Sequence, residues 1–207
     1  MSKLRPVRNG SLPDRVVETI RDAIFSGRFA PGQPLRELHL ARKLEVSQTT
    51  VREALLQLEH AGLVVRSPNR GTALTRLPRE DLRERISVRA VLEGMAAVEA
   101  FRWMSEPNFR ELERRLDRIS QAIASGNPFA ICEADLAFHR YIWECCGNRT
   151  LYRMLDQLTA PLFAFISILR HSGRPQNIPV RSHQPIVEVL KKGKPTEIIE
   201  AIRSHIT

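Results

Sequence analysis

The chain has 207 residues, 43% of them hydrophobic and 27% charged, which suits one or two globular domains with a core in each. No apolar run approaches a membrane span and the N-terminus lacks the apolar core of a signal peptide, so a cytoplasmic protein with no membrane partner is expected. Three clustered cysteines, Cys132, Cys145 and Cys146, lack CxxC spacing, which argues against a disulfide framework or a thiolate zinc site.

The net charge of +9 is unevenly placed. Residues 1–79 carry 14 Lys and Arg against 7 Asp and Glu, whereas residues 80–207 carry 18 against 16. A basic module attached to a near-neutral one is drawn to phosphate backbones without regard to sequence. Many basic domains bind nothing acidic, so the pattern of residues has to decide.

A first helix is predicted over Asp14 to Ser26, with Val16, Ile20, Ala23 and Ile24 on one stripe and Gly27 past its end. Pro31-Gly32 and Pro34 break the chain. A short helix follows from Arg36 to Leu44, with Leu38, Ala41 and Leu44 expected inside. Glu45-Val46-Ser47 is a tight turn, and Ser47 is suited to cap a third helix from Gln48 to His60. That helix buries Val51, Ala54, Leu55 and Leu58 and presents Thr49, Arg52, Glu53 and Gln57. Two β-prone runs, Leu63 to Arg66 and Thr72 to Thr75, flank the turn Pro68-Asn69-Arg70-Gly71 as a hairpin wing. Two helices joined by a three-residue turn, the second opening on small polar and basic residues, fit the major groove, where hydroxyls, amides and guanidinium groups bond base edges and phosphates.

Leu77-Pro78-Arg79 is expected to be a linker, and beyond it only helical runs appear. The first, Asp81 to Trp103, is apolar almost all round, as in a central bundle helix. Glu106-Pro107-Asn108 separates it from a helix with Phe109, Leu112, Leu116, Ile119 and Ile123 on one stripe. A third runs from Phe129 to Cys146, and a fourth must be kinked or divided by Pro161. A polar loop, Arg170 to Pro179, precedes two short helices split by Gly193-Lys194-Pro195. The fold class is therefore mainly α: a winged helix-turn-helix (1–76), a linker (77–80) and an antiparallel all-α bundle (81–207).

Four bundle residues invite chemistry. Asp135 and His139, spaced i, i+4, leave the same helix face, His183 opens the penultimate helix, and His205 lies near the end of the last. A carboxylate and three imidazoles suit Zn²⁺, Ni²⁺, Mn²⁺ or Fe²⁺ with positions left for a small ligand; an Asp/His pair on one helix equally makes a local hydrogen bond. Arg89 and Glu93 share an inward stripe, as an ion pair or with Arg89 reserved for a ligand's carboxylate. Cys132, one turn before Asp135, reads as a packed core thiol, as do Trp103, Trp143 and the phenylalanines as core; His39, His60 and His171 read as surface residues.

The segment PGQPLRELHLARKLEVSQTTVREALLQLEHAGLVVRSPNRGTAL resembles the DNA-binding domain of the GntR family of bacterial transcription regulators. The resemblance implies that Arg36, Ser47, Gln48, Thr49, Thr50 and Arg52 contact DNA and that Arg70-Gly71 of the wing reaches the minor groove. The family often has Arg where this chain has Gln48, which moves the expected base preference from guanine towards adenine. The segments DLRERISVRAVLEGMAAVEA, DLAFHRYIWECCGN and RSHQPIVEVLKKGKPTEIIEAIRSHI resemble the ligand-sensing FCD domain of the FadR branch. That implies a divalent metal ion (Zn, Ni or Mn) at Asp135, His139, His183 and His205, holding a small carboxylate effector that Arg89 contacts. His205 is third from the end, where members usually continue the helix further. The expected protein is a homodimer on a palindromic double-stranded DNA operator, controlled by an organic acid and not an enzyme; a metal-dependent hydrolase fused to a DNA-targeting module is the competing reading. Against the hydrolase, the chain has no HExxH, no nucleophile elbow and no Gly-rich phosphate loop.

Overall fold

The computed structural model describes residues 11–68, 70–171 and 182–207, without the side chains of 170 and 171. Asn69 of the wing turn, the predicted loop beyond His171 and the surface placement of the His171 side chain lie outside them.

Helix α1 spans Leu12–Phe25. It begins earlier than the apolar stripe predicts, because Ser11 and Asp14 form a capping box with Pro13 in the first turn. Helix α2 spans Glu37–Leu44 and α3 Gln48–His60. Leu38 is 53% exposed and Leu40 takes the core position beside Ala41. The helix starts at Glu37 and its buried pair is i, i+1, which brings Leu40 under the stripe and turns Leu38 outward. In α3, Val51, Ala54, Leu55 and Leu58 are all buried, as their spacing requires.

Strands β1 (Val64–Ser67) and β2 (Gly71–Leu74) pair antiparallel with Val64 opposite Leu74 and Ser67 opposite Gly71, one residue from the predicted limits. The breaker segment before α2 also joins this hairpin. Pro34 bridges to Ala73, Leu35 N donates to Thr72 O at 2.8 Å, and Leu74 N donates to Gln33 O at 2.9 Å. Proline has no N–H to give, but at a sheet edge its neighbours supply the bonds. The wing is thereby tied to the entrance of α2.

Leu77 is buried and α4 starts at once, spanning Arg79–Phe101, so the expected linker shrinks to almost nothing. Helices α5 (Glu106–Ser125), α6 (Pro128–Cys145), α7 (Arg149–His171), α8 (Gln184–Lys192) and α9 (Pro195–Ile206) complete the bundle. Glu106-Pro107-Asn108 is the first turn of α5, capped by Ser105, rather than a separator. In α5 Ala122 is buried while Ile123 is 45% exposed. Helix α7 runs undivided through Pro161. Trp103 is 73% exposed, because α4 ends at Phe101 and Trp103 falls in the turn that follows. Phe101 packs where a Cβ at Gly193 would stand, 2.3 Å from its ring, so the α8–α9 turn needs glycine there.

α4 is central, packing on α9, α7 and α6. α6 and α7 lie antiparallel, with Arg140 paired to Asp156 at 2.6 Å and Trp143 against Tyr152. The helix-turn-helix rests on this bundle. The Phe25 ring meets Phe129 edge-on at 6.3 Å, and the Ser167 hydroxyl donates to the Phe25 carbonyl. Gly62, at φ +72°, sits where a Cβ would come 3.0 Å from Pro161. Among the described residues, no helix is long and apolar enough to cross a membrane.

Candidate nucleic-acid interface and metal centre

Ser47 caps α3: its Oγ accepts from Thr50 N at 3.0 Å and lies 2.8 Å from Thr50 Oγ1. This cap fixes the start of the helix, leaving Gln48, Thr49 and Arg52 exposed on its outer face. Arg36, Gln48, Arg70 and Gly71 line one groove of about 780 Å³ between α2, α3 and the wing, with Arg66 beside them. Ser47, Thr49, Thr50 and Arg52 are not part of that lining, though Ser47 is the N-cap of α3 and the other three belong to its first turn and a half. His39 and His60 are exposed.

Glu37 was not among the candidates, yet it organises this surface. Its Oε2 accepts from Gln48 Nε2 at 3.0 Å and from Arg52 Nη2 at 2.9 Å. Arg52 Nε lies 3.1 Å from the same oxygen. The bond from Arg52 holds the Glu37 carboxyl below its ordinary value. No short-range signal announces it, since the partners lie 11 and 15 residues on, in another helix.

In the bundle, Asp135 and His139 on α6, His183 at the N-cap of α8 and His205 on α9 each offer a ligand atom, all within 4.8 Å of one another. Asp135 Oδ1 is 3.0 Å from His183 Nε2 and 3.4 Å from His139 Nε2, and the Nε2 atoms of His139 and His205 are 3.3 Å apart. Metal–ligand bonds of ~2.0–2.2 Å put neighbouring donors about 2.8–3.6 Å apart, so these separations match edges of a coordination polyhedron.

The ring orientations make the same case. His139 Nδ1 faces Glu93 Oε2 at 2.7 Å, and His205 Nδ1 faces the Ser182 carbonyl at 3.3 Å. Carboxylate and carbonyl oxygens only accept, so both Nδ1 atoms donate and in the neutral rings both Nε2 atoms carry lone pairs. Two lone pairs and a carboxylate oxygen then converge, an arrangement that calls for a positive charge between them. A hydrogen bond from Nδ1 to a carboxylate is the usual support for a metal-binding imidazole.

Electrostatics agree. Burial opposes ionisation of Glu93, but Arg89 and His139 beside it push its carboxyl down to about 2. Burial likewise opposes charge on Asp135, yet the bonds from His139 and His183 hold it well below the usual carboxylate range. Burial lowers His183 and, with His139 and His183 nearby, takes His205 down to about 3, so both stay neutral as ligands must. For His139 burial pulls downward too, but Glu93 and Asp135 outweigh it and raise it; without a cation, a proton on this ring is what the surroundings favour.

Arg89 is 8% exposed, its Nε ion-paired to Glu93 Oε1 and its guanidinium carbon 5.1 Å from the centre of the Phe163 ring. The i, i+4 spacing announces this pair. It does not show that the other oxygen of Glu93 orients His139, 46 residues away. Cys132 is buried, as is Trp143.

Residues 12–74 match the model of bacterial regulatory proteins of the gntR family, and residues 84–207 match the FCD domain. The chain is 29% identical over 195 residues to a probable D-xylose utilization operon transcriptional repressor of Paenarthrobacter nicotinovorans, spanning 92% of this chain and 85% of that one. It is 30% identical over 190 residues to the HTH-type transcriptional regulator YdhC of Bacillus subtilis, spanning 90% and 82%. The solved structure of McbR/YncC from E. coli has the same fold, with a TM-score of 0.79 at 22% identity, covering 96% of this chain and 94% of that one. The gntR model and the two curated relatives are those of transcriptional regulators, which removes the hydrolase reading. The chain belongs to the GntR family of transcriptional regulators, with an FCD domain following its helix-turn-helix.

Proposed function

We propose that this regulator is a homodimeric repressor that binds a palindromic DNA operator and is controlled by a small organic acid held at a metal centre. Residues 1–76 serve as the reading head, 77–80 join it to the bundle, and 81–207 form the sensing and dimerisation domain. The observation that carries the proposal is the convergence of four donor atoms within 4.8 Å, with the Nε2 atoms of His139 and His205 3.3 Å apart. Asp135, His139, His183 and His205 would hold one divalent ion such as Zn²⁺, Ni²⁺ or Mn²⁺. The ion supplies positive charge and open coordination positions for a carboxylate. The ion pair of Arg89 with Glu93 uses Nε, so a carboxylate would be met by the Nη groups, whose bonds to it are charge-assisted.

On the DNA side, Arg36, Gln48, Thr49, Arg52 and the Arg70-Gly71 wing are assigned to bases and phosphates, with Ser47 and Thr50 presenting the helix end. One recognition helix reads too few base pairs for a unique site, which favours a two-fold dimer. A face for the second copy is offered by α4 and α9, where Val88, Val91, Met95 and Ile199 are 48%, 67%, 50% and 39% exposed. An isologous contact over such a face would bury the apolar side chains of both copies. Repression follows the relative from Paenarthrobacter nicotinovorans, itself named a repressor.

The test is operator affinity of metal-loaded protein, measured with and without a panel of organic acids, beside elemental analysis of protein purified without chelator. About one metal equivalent per chain and a change of ~5–150-fold in operator affinity with one acid are expected. No metal, with no rise in melting temperature on adding Zn²⁺, Ni²⁺ or Mn²⁺, would refute the centre. A tightly bound acid that leaves operator affinity unchanged would refute the control.

A further inference from the structure

The groove assigned to DNA is lined by three arginines, and Glu37 stands among them. A carboxylate there repels the phosphates that the arginines attract, so on charge alone it weakens binding. Its position is nevertheless built. Glu37 is the first residue of α2, where the positive end of the helix dipole favours an anion. Its side chain is 22% exposed and its oxygens receive Gln48 Nε2, Arg52 Nε and Arg52 Nη2, at 3.0, 3.1 and 2.9 Å for the closest oxygen. Both are exposed long side chains near the start of α3.

We propose that Glu37 is a positioning residue for base selectivity: it holds Gln48 and Arg52 in one preset fork before DNA arrives. This rests on the reading of α3 as the recognition helix. The chemistry determines what each side chain then shows to the groove. An ionised carboxylate only accepts, so it must be the amide nitrogen of Gln48 that faces it, and the amide cannot turn over without losing that bond. One N–H is consumed, and the carbonyl and the other N–H remain. That donor–acceptor pair is the complement of adenine N6 and N7 in the major groove. Arg52 is gripped along its Nε–Nη2 edge, leaving Nη1 and the second Nη2 proton to reach out. Its charge is largely balanced by Glu37, which trades non-specific attraction to phosphate for geometry. Holding rotamers in advance removes ordering entropy from the specific complex only.

Glu37→Gln tests this, being isosteric and uncharged. Selection from random DNA and filter-binding titrations on a non-operator duplex are run on wild type and variant, with melting temperature as the check on folding. A good bidentate contact discriminates against the wrong base by roughly 5–150-fold. In the variant the preference at the Gln48 and Arg52 positions of each half-site is expected to fall at least about fivefold. Affinity for non-operator DNA should stay level or rise, because a negative charge has left the groove. A residue that merely stabilised α2 would lower the melting temperature and weaken both kinds of DNA alike, leaving the selected motif intact. An unchanged motif overturns the proposal, as does equal weakening on operator and non-operator DNA. If wild type itself selects no motif, the recognition-helix reading fails instead. Glu37→Asp, which keeps the charge but shortens the reach, is expected to lose selectivity without the gain in non-specific affinity; wild-type selectivity in Glu37→Asp together with loss in Glu37→Gln would reduce the role to charge alone and overturn the positional part.

Discussion

Replacing Glu93 by Gln removes one charge from the interior and changes almost no volume. Glu93 is 1% exposed; one oxygen takes Arg89 Nε and the other takes His139 Nδ1. An amide offers one acceptor where two donors point, so its NH₂ group must confront either the guanidinium or the imidazole N–H. Each charge-assisted bond contributes ~1.5–3 kcal/mol, and breaking one member of a buried pair typically costs about 3–5 kcal/mol because the partner charge is left uncompensated. For a chain of this size each kcal/mol moves the melting temperature by ~2–4 °C, so the variant should melt about 6–20 °C lower. The same bond orients His139, and losing such support lowers metal affinity by ~10–100-fold. Calorimetric melting of metal-free protein and Zn²⁺ titration in a competing chelator measure the two effects separately. Melting within 2 °C of wild type, on the order of 1 kcal/mol or less, would refute the energetic account of the Arg89–Glu93–His139 chain. Unchanged Zn²⁺ affinity would refute the orienting role.

Gln48→Arg should move base preference from adenine towards guanine at one symmetric position per half-site, read by selection from random DNA; an unchanged motif removes Gln48 from the base contacts. The Glu37 carboxyl should titrate below the ordinary glutamate value, so its grip on Arg52 is complete above that value and lost only as pH falls through the lowered one; carbon NMR of the carboxyl should show this midpoint, rising in Arg52→Ala. Val91→Asp places a charge on a side chain already 67% exposed, which leaves the subunit folded but should weaken the proposed dimer by at least about 4 kcal/mol over two symmetric copies. Sedimentation showing an intact dimer would move the interface off α4.

Helix α3 was legible down to its ends, because a capping serine precedes a stripe at i, i+3, i+4 and i+7 whose buried members leave no choice of face. Elsewhere the local signals pulled the wrong way. Pro107 and Pro161 look like breakers, yet the first lies in the opening turn of α5 and the second is carried inside α7. Trp103 is apolar enough for a core but falls past the end of its helix. The edge pairing of Pro34 with Ala73 joins segments about forty residues apart, and nothing in either segment points to the other. The same limit governs the sites. Asp135 and His139 are neighbours by helical geometry alone, whereas bringing His183 and His205 to them required the resemblance and then the packing of α8 and α9. Glu37 escaped, as did the bond of Glu93 to His139, because that work is done across helices, by oxygens that no spacing rule can aim.

The proposed control of DNA binding needs a mechanical path between the two domains. Leu77 between the two domains is buried, and α1 of the helix-turn-helix lies against α7 and α6. Helix α6 has two working faces. Asp135 and His139 point to the donor cluster, while Glu133, Leu136 and Arg140 line a cleft of about 220 Å³ shared with Arg21 of α1 and Gln57 of α3. Glu133 reaches Arg21 at 4.0 Å, and Arg21 also holds Glu18 at 2.6 Å. If a ligand pulls on Asp135 and His139, the movement of α6 would carry Glu133, which is paired to Arg21 of α1. An effector changes DNA affinity only by its differential affinity for two such arrangements, and that coupling is reciprocal. If α6 is the path, Glu133→Gln should leave metal binding as in wild type and alter the factor by which an acid shifts operator affinity. An unaltered factor, with acid binding intact, would take the coupling off α6.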